Sequence, residues 1–202
     1  MKILPRKFYS RNTLKVAQEL LGCFLVREYR GKIIRAMITE TEAYRGEDDL
    51  ACHASKGRTS RTEVMYGAPG HAYVYLIYGM YHCLNVVTER ADFPAAVLIR
   101  AVRPHPSLVA RSDCLKSKAI KRGRTANRHG ERTDLVNGPG KLCKALKIDR
   151  KLNKWDLTKG EKLWLEYRDP KIKLPKIEKS RRVGIDYAQH CREYLWRFFL
   201  KI

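Results

Sequence analysis

The chain has 202 residues, 42 of them Lys or Arg against 21 Asp or Glu, for a formal net charge of +21 with histidine neutral. A hydrophobic fraction of 44% with 11 Tyr, 5 Phe and 3 Trp excludes a disordered basic tail; Met1–Lys7 holds no apolar stretch of the length expected of a secretory signal, and no run approaches the roughly 18 apolar residues that a membrane span needs. The expectation is a soluble, intracellular protein with one domain over residues 1–202, whose basicity points to a polyanion, either nucleic acid or an acidic membrane surface.

In chain order, Ser10–Gly22 reads as a helix with Leu14, Ala17, Leu20 and Leu21 near one face and Gly22 as its stop. Cys23–Tyr29 and Lys32–Thr39 flank an Arg30-Gly31 turn and form a hairpin, the second strand running on into Glu40–Tyr44. Val74–Tyr78 and Cys83–Thr88 pair around Gly79-Met80, and Ala95–Val102 adds a third apolar run. These connections are too short for helical crossovers, so the pairing is antiparallel. Arg111–Asp134 is basic and poor in large apolar residues, a surface loop. Asn137–Gly140 is a turn feeding a short helix, Lys141–Leu146, whose amides could hold a phosphate beside Lys141. Leu163–Tyr167 and Val183–Ile185 read as late strands, and Tyr194–Leu200 as an aromatic closing segment. The six cysteines (Cys23, Cys52, Cys83, Cys114, Cys143 and Cys191) include no Cys-x-x-Cys pair, which favours neutral thiols over a disulfide framework or a zinc site.

Two segments depart from the background. Glu40, Glu42, Glu47, Asp48 and Asp49 crowd into ten residues with one arginine, and such a cluster repels a phosphate backbone. It is either a solvated acidic turn or the source of a carboxylate that serves as general base or positions a nucleophile. Strand alternation puts Glu40, Glu42 and Tyr44 on one face, opposite Thr41 and Ala43. Tyr73, Tyr75, Tyr78 and Tyr81 then fall within nine residues, either as a tyrosine-rich sheet face or as something more specific. In the second case Tyr78, beside a glycine turn with Met80, is placed to wedge between base pairs, and Tyr75 faces inward as a stacking platform. His53 has no second histidine at metal-ligand spacing. It is a structural or surface residue, or a hydrogen-bonding partner returning to the pocket of Glu42. Arg100 ends the apolar run Val97-Leu98-Ile99, either in solvent or paired with a carboxylate of the acidic segment.

Six ordered blocks carry a resemblance. Glu40-Thr41-Glu42-Ala43-Tyr44, His53, Tyr73 to Tyr81 with Asn85, Val97 to Ala101, Asn137 to Cys143 and Arg182-Val183-Gly184-Ile185 together resemble the alkyladenine (3-methyladenine) DNA glycosylases. The resemblance implies an α+β fold: a single compact domain on a curved antiparallel β-sheet with peripheral helices and a protruding hairpin that inserts into DNA. It implies a monofunctional base excision repair enzyme, without metal or organic cofactor, that flips alkylated or deaminated purines (3-methyladenine, 7-methylguanine, hypoxanthine, ethenoadenine) out of duplex DNA and hydrolyses the N-glycosidic bond. Glu42 matches the carboxylate that activates water, Arg100 and the carbonyl of Val183 its other contacts. Tyr44, His53 and Tyr75 match the walls of the base pocket, and Asn85 the filter against guanine. Tyr78 matches the intercalating residue, Met80 and Tyr81 its neighbours, and Arg58, Arg61 and Lys141 fall where contacts to the DNA backbone are expected. The partner implied is duplex DNA holding a damaged purine, with no obligate protein partner and a monomeric enzyme. The family's Gly-Pro-Glu-Asp turn is replaced here by Gly46-Glu47-Asp48-Asp49. Two other functions compete: a bifunctional glycosylase/lyase using a lysine, and a basic nucleic-acid-binding protein without activity, which leaves the acidic segment unexplained.

Overall fold

The computed structural model describes residues 2–104 and 135–201, together with the backbone of a small ladder, β6 (Thr125–Ala126) against β7 (Arg132–Thr133). The rest of the basic Arg111–Asp134 segment, the expected surface loop, lies outside the described residues. Among the described residues no helix is long and apolar enough to cross a membrane.

The organising element is β2 (Lys32–Arg45). Its first half pairs with β1 (Phe24–Tyr29), as the Arg30-Gly31 turn predicts, and β1 in turn pairs with β9 (Leu163–Glu166). Its second half pairs with β11 (Arg197–Leu200), which carries β10 (Ile177–Ser180). Along its other edge β2 meets β5 (Ala95–Pro104), with register shifts on both sides of Glu40. A bulge bends a strand and increases its twist, and here it lies where β2 exchanges β1 for β11. The order continues β5, β4 (Tyr81–Val87), β3 (Ala72–Ile77), with β8 (Val136–Asn137) also on β5. All these pairings are antiparallel, in one curved half-barrel sheet of nine strands.

Few helices cover it. The predicted Ser10–Gly22 helix is shorter, α2 spanning Thr13–Glu19, because the Asn12 side chain accepts from the N–H groups of Leu14 and Lys15 and caps it there. A four-residue turn, α1 (Arg6–Tyr9), precedes it, too short to leave a periodic signal. Thr41 on β2 donates to the Ala17 carbonyl of α2 at 2.8 Å, so the face opposite Glu40, Glu42 and Tyr44 is the one that packs on the helix. α3 runs Pro139–Ala145, with proline in its first turn where a missing N–H costs nothing. Val183–Ile185, expected as a strand, is an irregular turn; the Val183 N–H is aimed at Glu42 on β2, and the Ile185 carbonyl accepts from the Ala188 N–H. β10 carries no strand signal of its own, since Ile177-Glu178-Lys179-Ser180 has too little apolar alternation, and it is recruited by β11. Cys23, Cys52, Cys83, Cys143 and Cys191 are buried free thiols; Cys114 lies outside the described residues.

α3 sets the position of the tyrosine hairpin. A Cβ added at Gly140 would lie 2.8 Å from Cβ of Tyr81 and 3.0 Å from its Cγ, so only glycine allows the helix this close to β4. Gly140→Ala is expected to destabilise the protein by about 1–3 kcal/mol through overpacking, a fall in melting temperature of roughly 2–12 °C that differential scanning calorimetry would read.

Candidate active site

A pocket opens beside the second half of β2, lined by Tyr44, His53, Tyr75, Asn85, Arg100 and Val183 among others. The hydrophobic sheet face supplies its floor, and three elements supply its chemistry.

Glu42 is the first. Its side chain is fully buried, yet every oxygen has a donor. The Tyr44 hydroxyl donates to Oε2 at 2.9 Å, Arg100 Nη1 donates to the same oxygen at 3.3 Å, and the Val183 N–H donates to Oε1 at 2.8 Å. Burial pushes the Glu42 carboxyl above the ordinary range, while Arg100, the Val183 N–H and the Tyr44 hydroxyl pull it back in part. Burial, then Glu42 itself, pushes the Tyr44 hydroxyl far up, so it stays a proton donor. Val183 thus reaches Glu42 through its N–H, a contact separate from the one the resemblance implies between its carbonyl and the attacking water.

Arg100 is the second. Only 13% of its side chain is accessible, and its Nε donates to Glu40 Oε1 at 2.8 Å, an oxygen that Arg197 Nε also reaches at 2.6 Å. The strand-end-in-solvent alternative is thus excluded. Burial works against the Arg100 charge, but Glu42 and Glu40 together more than offset it and the guanidinium stays protonated. Of the five acids, Glu40, Glu42 and Asp49 are buried while Glu47 and Asp48 are exposed. A purely solvated acidic turn does not describe this segment.

The aromatic wall is the third. Tyr73 and Tyr75 share a face of β3, as period two requires, with ring centroids 5.1 Å apart. The Tyr73 hydroxyl lies 2.8 Å from His53 Nδ1, and the His53 ring meets Tyr75 edge to face at 4.6 Å. His53 is lowered to about 4 by burial, with the nearby Arg61 and Lys56 charges adding to the effect; it is neutral at physiological pH. Asn85 is buried on β4 and donates from Nδ2 to the Tyr73 carbonyl at 3.1 Å, which fixes its amide against the pocket wall.

The other predicted residues lie outside the pocket's interior. Tyr78 and Gly79 both have positive φ, 52° and 66°, the signs of the tight hairpin turns that match strand twist. A tyrosine in that region is uncommon and costs of order 1–3 kcal/mol. At the tip, Tyr78 at 81% and Met80 at 69% are the two most exposed large hydrophobic residues described, and Tyr81 is 42% exposed. Arg61 is exposed and lies over the Tyr75 ring at 5.0 Å. Lys141 is exposed on α3. Arg58 is not free for a phosphate in this structure: it pairs with Glu63 at 2.8 Å and Asp92 at 3.0 Å.

Sequence reasoning left three contributors unassigned. Tyr73, placed on the right face by alternation, orients His53. Arg197 shares Glu40 with Arg100 from the far end of the chain, which no local pattern signals. Arg182 lies beside Val183 within a recognised block.

The methylpurine-DNA glycosylase (MPG) family matches over residues 7–202. A protein of Methanocella arvoryzae is 49% identical over 201 residues, covering 100% of this chain and 94% of its own length. One of Desulfitobacterium hafniense is 46% identical over 202 residues (100% and 96%), and one of Clostridium acetobutylicum 45% over 202 (100% and 95%). All three are named "Putative 3-methyladenine DNA glycosylase". With a match of this extent and buried Glu42 beside an aromatic pocket, the chain belongs to the methylpurine-DNA glycosylase family, DNA repair hydrolases that act on N-glycosyl bonds.

Proposed function

We propose that this enzyme removes 3-methyladenine and 7-methylguanine, and with them hypoxanthine and ethenoadenine, from duplex DNA through a water activated by Glu42. The observation that carries this is the setting of Glu42: a buried carboxylate with three donors, at the edge of a pocket walled by aromatic rings.

In this mechanism the damaged nucleotide leaves the stack, at a cost of a few kcal/mol that is lower for a damaged base. Tyr78, held outward by its strained turn with Met80 and Tyr81 beside it, fills the gap. The base enters between Tyr44 on one side and His53 with Tyr75 on the other. A methylated purine is cationic, and its attraction to an aromatic face favours it over a neutral base. A neutral His53 adds no opposing charge. Asn85 on the wall works against the exocyclic amine of unmodified guanine, a neutral base; 7-methylguanine carries the same amine but offsets that contact through the attraction of its positive charge to the aromatic faces. Water oxygen then attacks the anomeric carbon, the glycosidic electron pair leaves with the purine, and the water proton passes to Glu42. The carboxylate also stabilises the oxocarbenium-like sugar. Arg61 and Lys141 meet the backbone, and the net charge of +21 adds affinity that weakens as salt rises. The enzyme acts as a monomer in this reading, since one chain supplies every group named.

The experiment is base release from duplexes that each carry one of the four lesions, followed by chromatography. Free base is expected from the methylated duplexes, without a covalent adduct on borohydride treatment. Equal binding to damaged and undamaged duplex with no free base would leave the non-enzymatic binding protein. A borohydride-trapped adduct would leave the lyase.

A further inference from the structure

Arg182 and Asp49 take no part in the reaction proposed above, yet they form a wholly buried ion pair beside it, their side chains 0% and 1% accessible. The fork is bidentate: Nη1 reaches Oδ2 at 2.6 Å and Nη2 reaches Oδ1 at 2.8 Å. The same nitrogens also donate to the carbonyls of Ala43 at 2.9 Å and Cys191 at 3.2 Å. Asp49 in turn accepts from the N–H groups of Arg45 and Ala51. One cation therefore ties β2, the 45–51 turn and the C-terminal segment together. Its guanidinium carbon lies 4.7 Å from the Tyr44 ring centroid and 5.1 Å from that of Trp196.

As a source of stability this is a poor device, because the cost of desolvating two charges rivals their attraction, and apolar residues of similar volume often do as well. Its distinctive effect is on position. Two of the three donors on Glu42 depend on it: the Tyr44 hydroxyl, whose ring stacks on the guanidinium, and the Val183 N–H, which belongs to the next residue in the chain.

We propose that Arg182, held by Asp49, is a positioning residue for Glu42, fixing the Tyr44 hydroxyl and the Val183 N–H and through them the direction in which the carboxylate faces the pocket. The inference rests on Glu42 being the catalytic carboxylate. Arg182 hydrogen-bonds neither to Glu42 nor to the pocket's reacting atoms, and because the two charges also interact through space, the charge-conserving Arg182→Lys is the change that acts through those two hydrogen bonds. The charged and titratable groups around Glu42 are Glu40 and Tyr44 from β2, Arg100 from β5, Cys83 from β4, Arg197 from β11 through Glu40, and Arg182 itself. With Arg100 and Arg197 unchanged, weakening the two hydrogen bonds leaves Glu42 harder to ionise.

The test uses the full chain with Arg182→Lys and Asp49→Asn, single-turnover release from a duplex containing 7-methylguanine, and equilibrium binding to the same duplex under conditions too brief for release. Release is expected to fall roughly 10- to 100-fold, as misplacement of a reacting group by a fraction of an ångström does, with binding changed by less than about threefold. The acid limb of the rate against pH is expected to move up by about half a unit or more. A merely structural role would change the folded fraction and leave that limb in place. If both variants, corrected for the folded fraction by circular dichroism, keep the wild-type limb and rate, the inference is overturned. Should Arg182→Lys not fold, Asp49→Asn decides, because it keeps the side-chain shape and one of the two backbone contacts, its amide oxygen still accepting from the N–H of either Arg45 or Ala51. Glu42→Gln separates the two levels: if it remains active, the underlying reading of Glu42 fails, whereas an inactive Glu42→Gln beside unaltered Arg182 and Asp49 variants removes only this inference.

Discussion

Glu42→Gln is expected to lower base release from a 7-methylguanine duplex by about 10³- to 10⁴-fold, the combined reach of losing a general base and a stabilising charge. Binding to the same duplex is expected to stay within about threefold, since the interaction lost is made in the transition state and not in the ground state. The variant keeps the side-chain volume, so packing against the pocket floor is preserved. Its amide nitrogen must face at least one of the donors now on the carboxylate, the Tyr44 hydroxyl and Arg100 on Oε2 or the Val183 N–H on Oε1. That mismatch costs about 1–3 kcal/mol, visible as a lower melting temperature. The fall in rate far exceeds what such destabilisation produces in a protein that remains folded at the assay temperature. Release within tenfold of the unaltered enzyme would show that some other group activates the water.

The legibility of this site in the sequence follows the range of the interactions that build it. Glu40, Glu42 and Tyr44 were placed on one face by a period of two, and the structure keeps that face even through the register shifts beside Glu40, because Thr41 and Ala43 are held on the other side. Tyr73 and Tyr75 obeyed the same rule within β3. The strand pairs β1–β2 and β3–β4 were readable from turns between apolar runs. Long-range recruitment was not. β10 has little apolar pattern of its own, Arg197 finds Glu40 from 157 residues away, and Val183 acts from an irregular turn whose position is set by Arg182 and Asp49. Local pattern specifies which face a side chain occupies, whereas the partner waiting on that face depends on chain closure, and a bulge such as that near Glu40 redirects a strand without a matching gap in the sequence.

The same buried acids make Arg100→Gln the second change with a large expected effect, on activity and stability in opposite directions along the pH scale. Arg100 is the cation shared by Glu40 and Glu42. Arg197 still reaches Glu40 when it is gone, but Glu42 loses the strongest influence that lowers its pKa against burial. Its carboxyl then holds the proton to higher pH. Release at neutral pH is expected to fall by about 10²- to 10³-fold, recovering partly as pH rises and Glu42 ionises. Breaking a buried pair by removing one partner costs roughly 3–5 kcal/mol. Glu42 in the folded variant binds its proton more tightly than in the unfolded chain, so between the ordinary carboxylate pKa and the raised folded one the folded state carries more protons. Stability conferred by that group is therefore full below the unfolded pKa and lost as pH rises through the folded one. Across this window the variant should gain activity while it loses stability, and single-turnover rates measured beside chemical denaturation at each pH would show it. Parallel movement of the two, or an acid limb unchanged from the unaltered enzyme, would mean that Arg100 does not govern the ionisation of Glu42.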